Sequence, residues 1–446
     1  MKKELFLTFV EDNILSLFTG SEIVGEEESS SRDACVAQGQ GGTILMKFNH
    51  ADNYRFIIKR VQPFKTFEIS LVRTIIEEIG KVYNPDVPYE FIKNVEDYVI
   101  EKAICKALTD NNQTLQTLLT EISSWSNRTY EGRKTQFGFI LCNKKSGKLS
   151  NPNLHINKFL KNDFSALLSD GENTCLEISS DGFLLDYLTL PKAVEQNLLV
   201  PYGQLKMASV CKGKKVGVCL LPEGDILLIK EQTLLFAKRN GKWISFSHEE
   251  IIGKLAERSG EVEEVRRSIY LSAIDTSFAR NGGCIVHVNN SEKYNVLKHV
   301  DIADVLYKDC YEYLVQENIN HSFFYELKAE PEELETFEKF IYQNECTKTA
   351  NLIKIINGKK FHELDRKLRQ ELLAIDGATI IDYEGNIVAV GAIIKIEAGS
   401  SGGGRLAAAK TLSNYGISIK VSADGRMSGF RMDRQRLRVK PIFVIG

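Results

Sequence analysis

Two short motifs near the end of the chain carry residues that could hold a phosphorylated ligand: Asp376-Gly377-Ala378 and Ser401-Gly402-Gly403-Gly404-Arg405. A glycine run that opens into a helix presents free backbone N–H groups and the positive end of the helix dipole, which suits phosphate. Arg405 adds a guanidinium for a charge-assisted contact. Asp376 supplies one carboxylate for a ribose hydroxyl or a metal-bound phosphate. Gly377 and Ala378 leave room for a close backbone approach. Each motif alone has a plainer meaning, since Asp-Gly is usually a turn and a Gly-Ser stretch is usually a loop. Their order along the chain is what points to a site.

The elements that must position them are legible around them. Thr379 to Val390 reads as strand-turn-strand, with Tyr383-Glu384-Gly385-Asn386 at the turn. Leu406 to Asn414 is an alanine-rich helix. Ile417 to Arg426 is a hairpin turning at Asp424-Gly425. A helix from Phe361 to Leu373 leads into Asp376.

This order of parts resembles the DisA-like diadenylate cyclase nucleotide-binding superfamily, whose enzymes join two ATP molecules into cyclic di-adenosine monophosphate across a face-to-face pair of domains. The family's motifs read Asp-Gly-Ala, then Gly-Thr-Arg-His-Arg-Ala-Ala, then Ser-Glu. Asp376-Gly377-Ala378 matches the first in full. Aligning Ala408-Ala409 on the family's Ala-Ala puts Gly403, Gly404 and Arg405 on its Gly-Thr-Arg, and Ser413 on its serine. The resemblance spans roughly residues 261–446, with the specific motifs inside 371–430. It implies a mixed β-sheet with flanking helices and a nucleotide site formed by Asp376, Gly377, Ala378, Thr379, Gly402, Gly403, Gly404, Arg405, Ser413 and Asn414.

Departures from the pattern set the functional expectation. Leu406 and Ala407 stand where the family has the His-Arg that grips phosphate, and Asn414 stands where it has a metal-holding glutamate. Charge stabilisation of the transition state dominates phosphoryl transfer, so a synthase stripped of these groups is impaired, whereas binding needs only N–H groups, one arginine and a shaped pocket. The reading is the sensor branch of the superfamily: an α/β protein that binds an adenine nucleotide or a cyclic dinucleotide without synthesis. Mg or Mn would accompany the nucleotide, and no metal ligands belong to the protein itself. The enzyme alternative is a divergent diadenylate cyclase in which Asp376 is catalytic and Asp382 or Glu397 replaces the lost glutamate. A third option is an interaction scaffold with an empty site.

Composition narrows the class. The chain has 446 residues, 43% apolar and 26% charged, with a formal net charge of −2. That is room for two to three domains and an ordinary core, with no bulk basicity for nucleic acid. One basic cluster stands near the end, Arg426, Arg431, Arg434, Arg436, Arg438 and Lys440, read as a solvated edge in preference to a phosphate contact. Nine cysteines are scattered singly without a CxxC pair, so they read as reduced core thiols of a cytoplasmic protein. His287, within a strand, reads as structural. No signal segment or membrane span is expected. The expected partners are the nucleotide and an unidentified effector protein, with a homo-oligomer as an option.

Three regions are expected. Residues 1–112 read as a helix-rich N-terminal region with a polar loop at 26–42. Residues 113–260 read as an α/β domain, and residues 261–446 as the nucleotide-binding domain with a helical insertion at 289–350. The middle region reads as a degenerate copy of the last, with coincidence of common hairpin patterns an even alternative. Writing Gly203 over Gly404 aligns Gln204 with Arg405 and carries Val216–Leu221 onto Ile417–Ser422 without a gap. Upstream, Phe137–Cys142 falls on Gly283–Val288 and Asp170-Gly171 on Asp376-Gly377.

Overall fold

A computed structural model describes residues 3–28, 35–38, 42–47, 54–60, 62–82, 89–110, 112–147, 151–256, 262–317, 347–396 and 403–446. The chain divides into two compact units, Met1–His248 with Ile445–Gly446, and Glu249–Val444. Both are mixed α/β.

The first unit begins with a short helix, α1 (Lys3–Phe9), and a four-stranded sheet. Its strands are β1 (Ser21–Glu28), β2 (Cys35–Gln38), β3 (Thr43–Lys47) and β4 (Tyr54–Arg60), ordered β1-β4-β3-β2 and antiparallel. The region is helix-rich as expected, but the polar loop expected at 26–42 is corrected in part, since Glu26–Glu28 and Cys35–Gln38 lie in strands. Alternation decides the matter: Ile44 and Met46 of β3, and Phe56 and Ile58 of β4, are buried and point to one face. Three helices follow, α2 (Thr66–Val82), α3 (Tyr89–Leu108) and α4 (Asn112–Trp125). Gly80 does not stop α2, which carries its buried Val72-Ile75-Ile76-Ile79 stripe through to Val82. Glu68, in the first turn of α2, accepts bonds from Arg60 and from Ser247 (3.0 Å each), tying the small sheet to the end of the unit.

A two-residue hairpin, β5 (Thr129–Tyr130) and β6 (Arg133–Lys134), precedes the main sheet. That sheet contains β7 (Phe137–Leu141), β8 (Thr174–Ile178), β9 (Leu184–Thr189), β10 (Val216–Leu220), β11 (Ile226–Lys230), β12 (Thr233–Arg239) and β13 (Lys242–Ser245), with helix α5 (Leu205–Val210) before β10. Its order is β13-β12-β11-β10-β7-β8-β9, with only β7 and β8 parallel. One apolar cluster runs from Phe6 through α2–α4 to Trp243, so residues 1–112 share a core with the sheet that follows.

The second unit opens with α6 (His248–Lys254) and α7 (Glu263–Phe278). Its sheet holds β14 (Gly283–Val288), β15 (Ala378–Ile381), β16 (Ile387–Ala392), β17 (Gly416–Val421), β18 (Met427–Asp433) and β19 (Arg438–Ile445). Between β14 and β15 run α8 (Lys308–Gln316), α9 (Thr347–Ile356) and α10 (Arg366–Ala374); α11 (Gly404–Leu412) precedes β17. Phe361–Glu363 forms a separate 3-10 turn, and α10 starts afresh at the N-cap Asp365, so the expected helix from Phe361 is shorter than its pattern. The described part of the insertion, 289–317 and 347–350, is mostly 3-10 turns with α8, and residues 318–346 lie outside the described residues.

Strand β14 is buried along its whole length because layers cover both of its faces. Cys284, Val286 and Val288 join a cluster with Ala409 and Leu412 of α11. On the other face, backbone and side chain of Leu373 in α10 press against Gly283. Between α7 and α10, Arg366 and Asp275 form a fully buried pair, Nε to Oδ2 2.7 Å. Arg369 lies buried beside them, and burial together with the charge of Arg366 lowers its pKa to about 10.

Among the described residues, no helix is long and apolar enough to cross a membrane. Seven of the cysteines are buried free thiols, and burial pushes those of Cys175 and Cys211 up to about 12.

Candidate functional site

The two motifs meet at one end of the second sheet. Arg405, in the first turn of α11, comes within 3.5 Å of Asp376, which stands just before β15. Between them opens a cavity of about 390 Å³ lined by Cys284, Asp376, Gly377, Ala392, Ile393, Ile394, Ile396, Gly404, Arg405 and Ala408.

Close packing of small residues makes this convergence possible. Gly377 has φ of +109°, and a β-carbon there would sit 2.5 Å from the carbonyl carbon of Gly391. Only glycine lets the Asp376 loop cross the end of β16 at that distance. Gly282 does the same for the arginine: a β-carbon on it would lie 2.2 Å from Nη1 of Arg405. The guanidinium therefore lies against the backbone at Gly282, with its Nε buried and without a hydrogen-bond partner among the described residues.

Helix α11 begins at Gly403, which has φ of +83° and gives no side-chain cap. The backbone N–H groups of Leu406 and Ala407 both turn to the Gly403 carbonyl, 3.1 Å each. Gly404 and Arg405, in the first turn of the helix, line the cavity, where the dipole is positive. The side chain of Arg405 is 39% exposed and that of Asp376 89%. A ligand entering here would meet one cation, one anion and a helix N-terminus on one side, and isoleucines on the other. Ile393 and Ile396 are 67% and 40% exposed, an apolar wall open to solvent.

Other residues singled out in the sequence lie elsewhere. Ala378 and Thr379 are buried in β15, behind the cavity. Gly402 and Glu397 lie outside the described residues. Ser413 is buried at the far end of α11, where its hydroxyl donates to the Lys410 carbonyl at 2.7 Å, and Asn414 follows it into solvent. A helix rises 1.5 Å per residue, so eight residues carry Ser413 about 12 Å from Arg405. Asp382, offered as a replacement carboxylate, is also remote: it caps the β15–β16 turn through the N–H groups of Glu384 and Asn386 and pairs with Lys293 at 3.2 Å. Among the described residues, Asp376 is thus the one carboxylate lining the cavity.

That donor set is thin for a metal. No group of three or more His, Cys, Asp or Glu residues suited to a metal occurs among the described residues. Burial drives the Cys284 thiol up to about 12 although Arg405 pulls it down, so without a metal it stays protonated at neutral pH. Magnesium commonly takes one or two carboxylates with the rest of its shell from phosphate and water. Asp376 alone meets the lower limit of that habit.

The apolar wall is the part that reading the motifs missed. Its signal is the run Ala392-Ile393-Ile394-Lys395-Ile396, which continues apolar beyond the end of β16.

The first unit holds the same scaffold without the cavity features. Its strand order β9-β8-β7-β10-β11-β12 repeats β16-β15-β14-β17-β18-β19. The register repeats too: Leu220 pairs with Phe137 and Val216 with Leu141, as Val421 pairs with Gly283 and Ile417 with His287. Under that correspondence Met207 occupies the place of Ala408, and its Cε reaches within 2.5 Å of a β-carbon position on Gly138. Gln204, buried, occupies the place of Arg405. Glu172 reaches over the start of α5, its Oε1 2.8 Å from a β-carbon position on Gly203. Asp170 is consumed by its own loop, accepting from the N–H groups of Glu172, Asn173 and Thr174 at 2.7–3.0 Å. Burial would raise its pKa, but these bonds hold it at about 2.

No protein-family model, curated protein or solved structure matches this chain.

Proposed function

We propose that the chain is a nucleotide-binding sensor protein of the DisA-like kind, taking an adenine nucleotide or a cyclic dinucleotide in the cavity between Asp376 and Arg405. The observation that carries this reading is the convergence of Arg405, Asp376 and the first turn of α11 on one cavity with an isoleucine wall. Phosphate fits the helix N-terminus and the guanidinium, the carboxylate suits a ribose hydroxyl, and an aromatic base fits the apolar wall. The neutral Leu406 and Ala407, and Asn414 in place of a metal-holding glutamate, favour binding over synthesis. Any Mg or Mn would enter with the nucleotide, held by its phosphates and Asp376.

The matched sheets support a second part of the proposal, that the two units are tandem copies and that the first has lost its site. A divergent cyclase remains the rival, because Asp376 stands where a catalytic carboxylate would.

Two measurements test the reading together. Calorimetric titration with ATP and with cyclic di-adenosine monophosphate should show binding of one of them by the wild type and its loss in Arg405→Ala. Mass spectrometry after incubation with ATP and Mg²⁺ or Mn²⁺ should show unchanged ATP. A cyclic dinucleotide product that vanishes in Asp376→Ala would make the chain a cyclase. Absence of binding by any nucleotide would leave the scaffold reading.

A further inference from the structure

We propose that the β18–β19 hairpin is a docking element for an anionic lipid surface, with Leu437 entering the headgroup boundary and the surrounding basic side chains contacting lipid phosphates. This does not depend on the nucleotide reading.

Residues 434–437 form the turn between the two strands. Leu437 is 84% exposed, the most exposed of the large apolar side chains among the described residues. Its backbone is also in the left-handed region, φ +48°. A bulky side chain is disfavoured there, and glycine or asparagine is the usual occupant of such a turn position. The chain thus accepts a strained backbone and an unburied leucine at the same residue, and neither contributes to its own packing. Strain of that kind is a pointer to function.

Its neighbours supply the second observation. From Asp433 to Lys440 the sequence carries Arg434, Arg436, Arg438 and Lys440 against one acid. Lys440 is held by Asp433 at 3.2 Å and Arg434 by Glu292 at 3.5 Å. Arg436 and Arg438, which flank the leucine, are exposed and have no acidic partner among the described residues. An exposed apolar tip inside a collar of unpaired guanidinium groups matches the two-part chemistry of a membrane interface. Nucleic acid would use the charges but leave the leucine unexplained, and an acidic protein would offer it no apolar boundary. The contact is peripheral and reversible, since one leucine and a few basic groups are a weak anchor.

The test uses the full chain with vesicles of phosphatidylcholine alone and of equimolar phosphatidylcholine and phosphatidylglycerol, read by cosedimentation at low and high salt. Binding is expected to the anionic vesicles only and to weaken with salt. Arg436→Glu with Arg438→Glu should lower the partition coefficient about tenfold or more. Leu437→Asn relieves the backbone and keeps the charge, so a purely structural tip would be stabilised by it; here it should lower the partition coefficient several-fold while circular dichroism stays unchanged. The proposal is overturned if the wild type fails to sediment with anionic vesicles, or if neither variant changes its binding. Capture of a labelled single-stranded oligonucleotide or of polyglutamate without vesicle binding would also overturn it and reassign the patch.

Discussion

Arg405 reaches Asp376 at 3.5 Å while its guanidinium lies on the backbone of Gly282, a residue at the start of a different strand. Three segments far apart in sequence thereby fix one charge. Replacing Gly282 by alanine places a methyl group inside the guanidinium's space. The side chain is flexible enough to swing away, so the fold should survive. Nucleotide affinity should fall by about ten- to a hundredfold, the range for losing a hydrogen bond to a charged group. Calorimetry of Gly282→Ala beside Arg405→Ala would check this; undiminished affinity in Gly282→Ala would show that the resting position of Arg405 is irrelevant to binding.

The first unit specifies how to close the cavity of the second. Met207 stands where Ala408 lines the cavity, and Met207 is fully buried. Ala408→Met should fill the space beneath the ligand and lower affinity by about tenfold or more. Because the same scaffold already accommodates a methionine there, the melting temperature should change little. Loss of fold would indicate that the two scaffolds differ at this position more than their strand register shows.

Asp275 is the carboxylate paired with Arg366 in the layer between α7 and α10, and Arg369 lies buried alongside. Asp275→Ala would strand buried guanidinium groups without their counterion. Breaking a buried pair from one side costs about 3–5 kcal/mol. Urea denaturation should report a loss of that size, and Asp275→Ala with Arg366→Met should recover part of it. An unchanged midpoint in the single variant would mean that water reaches the pair.

Glu78 of α2 accepts from Lys81, Lys102 and Lys106, at 2.6, 2.7 and 2.6 Å. Burial would raise its pKa, but the three ammonium groups outweigh burial and bring it to about 2. A folded-state pKa below the unfolded value of about 4.3 contributes stability above the unfolded pKa. That contribution should fade as pH falls from about 5 toward 2. Glu78→Gln should therefore be less stable than wild type at neutral pH, and the gap should narrow through that window. A gap independent of pH would assign the loss to packing.

The site was half legible in the sequence. Asp376 and Arg405 were readable because each motif ties a charge to local backbone geometry, a turn or a helix start. Ser413 and Asn414 were aligned by spacing alone, and spacing along a helix is distance: Ser413 ends up at the opposite end of α11. The isoleucine wall left only an apolar run past the end of β16, which carries no period to say what it faces. Among the elements, β10 to β12 follow their apolar runs closely, since hairpin turns punctuate them. The N-terminal sheet was missed because the acidic Glu26-Glu27-Glu28 and the glycines at 39–42 read as loop by composition. What pairs β1 with β4 is a contact between distant segments, Ser21 with Arg60, to which no local pattern points.

The pairing of an open scaffold with a filled one sets the shape of the response within one chain. Two working sites in the same molecule would allow one occupancy to bias the other, and the output could sharpen into a threshold. If the proposed nucleotide site is the functional one, Met207 and Glu172 stand where a second guest would go, and a single chain would offer one site. On the proposed reading, its occupancy would follow ligand concentration as a plain hyperbola, so the molecule would act as a dial and any switching would be added by whatever reads it.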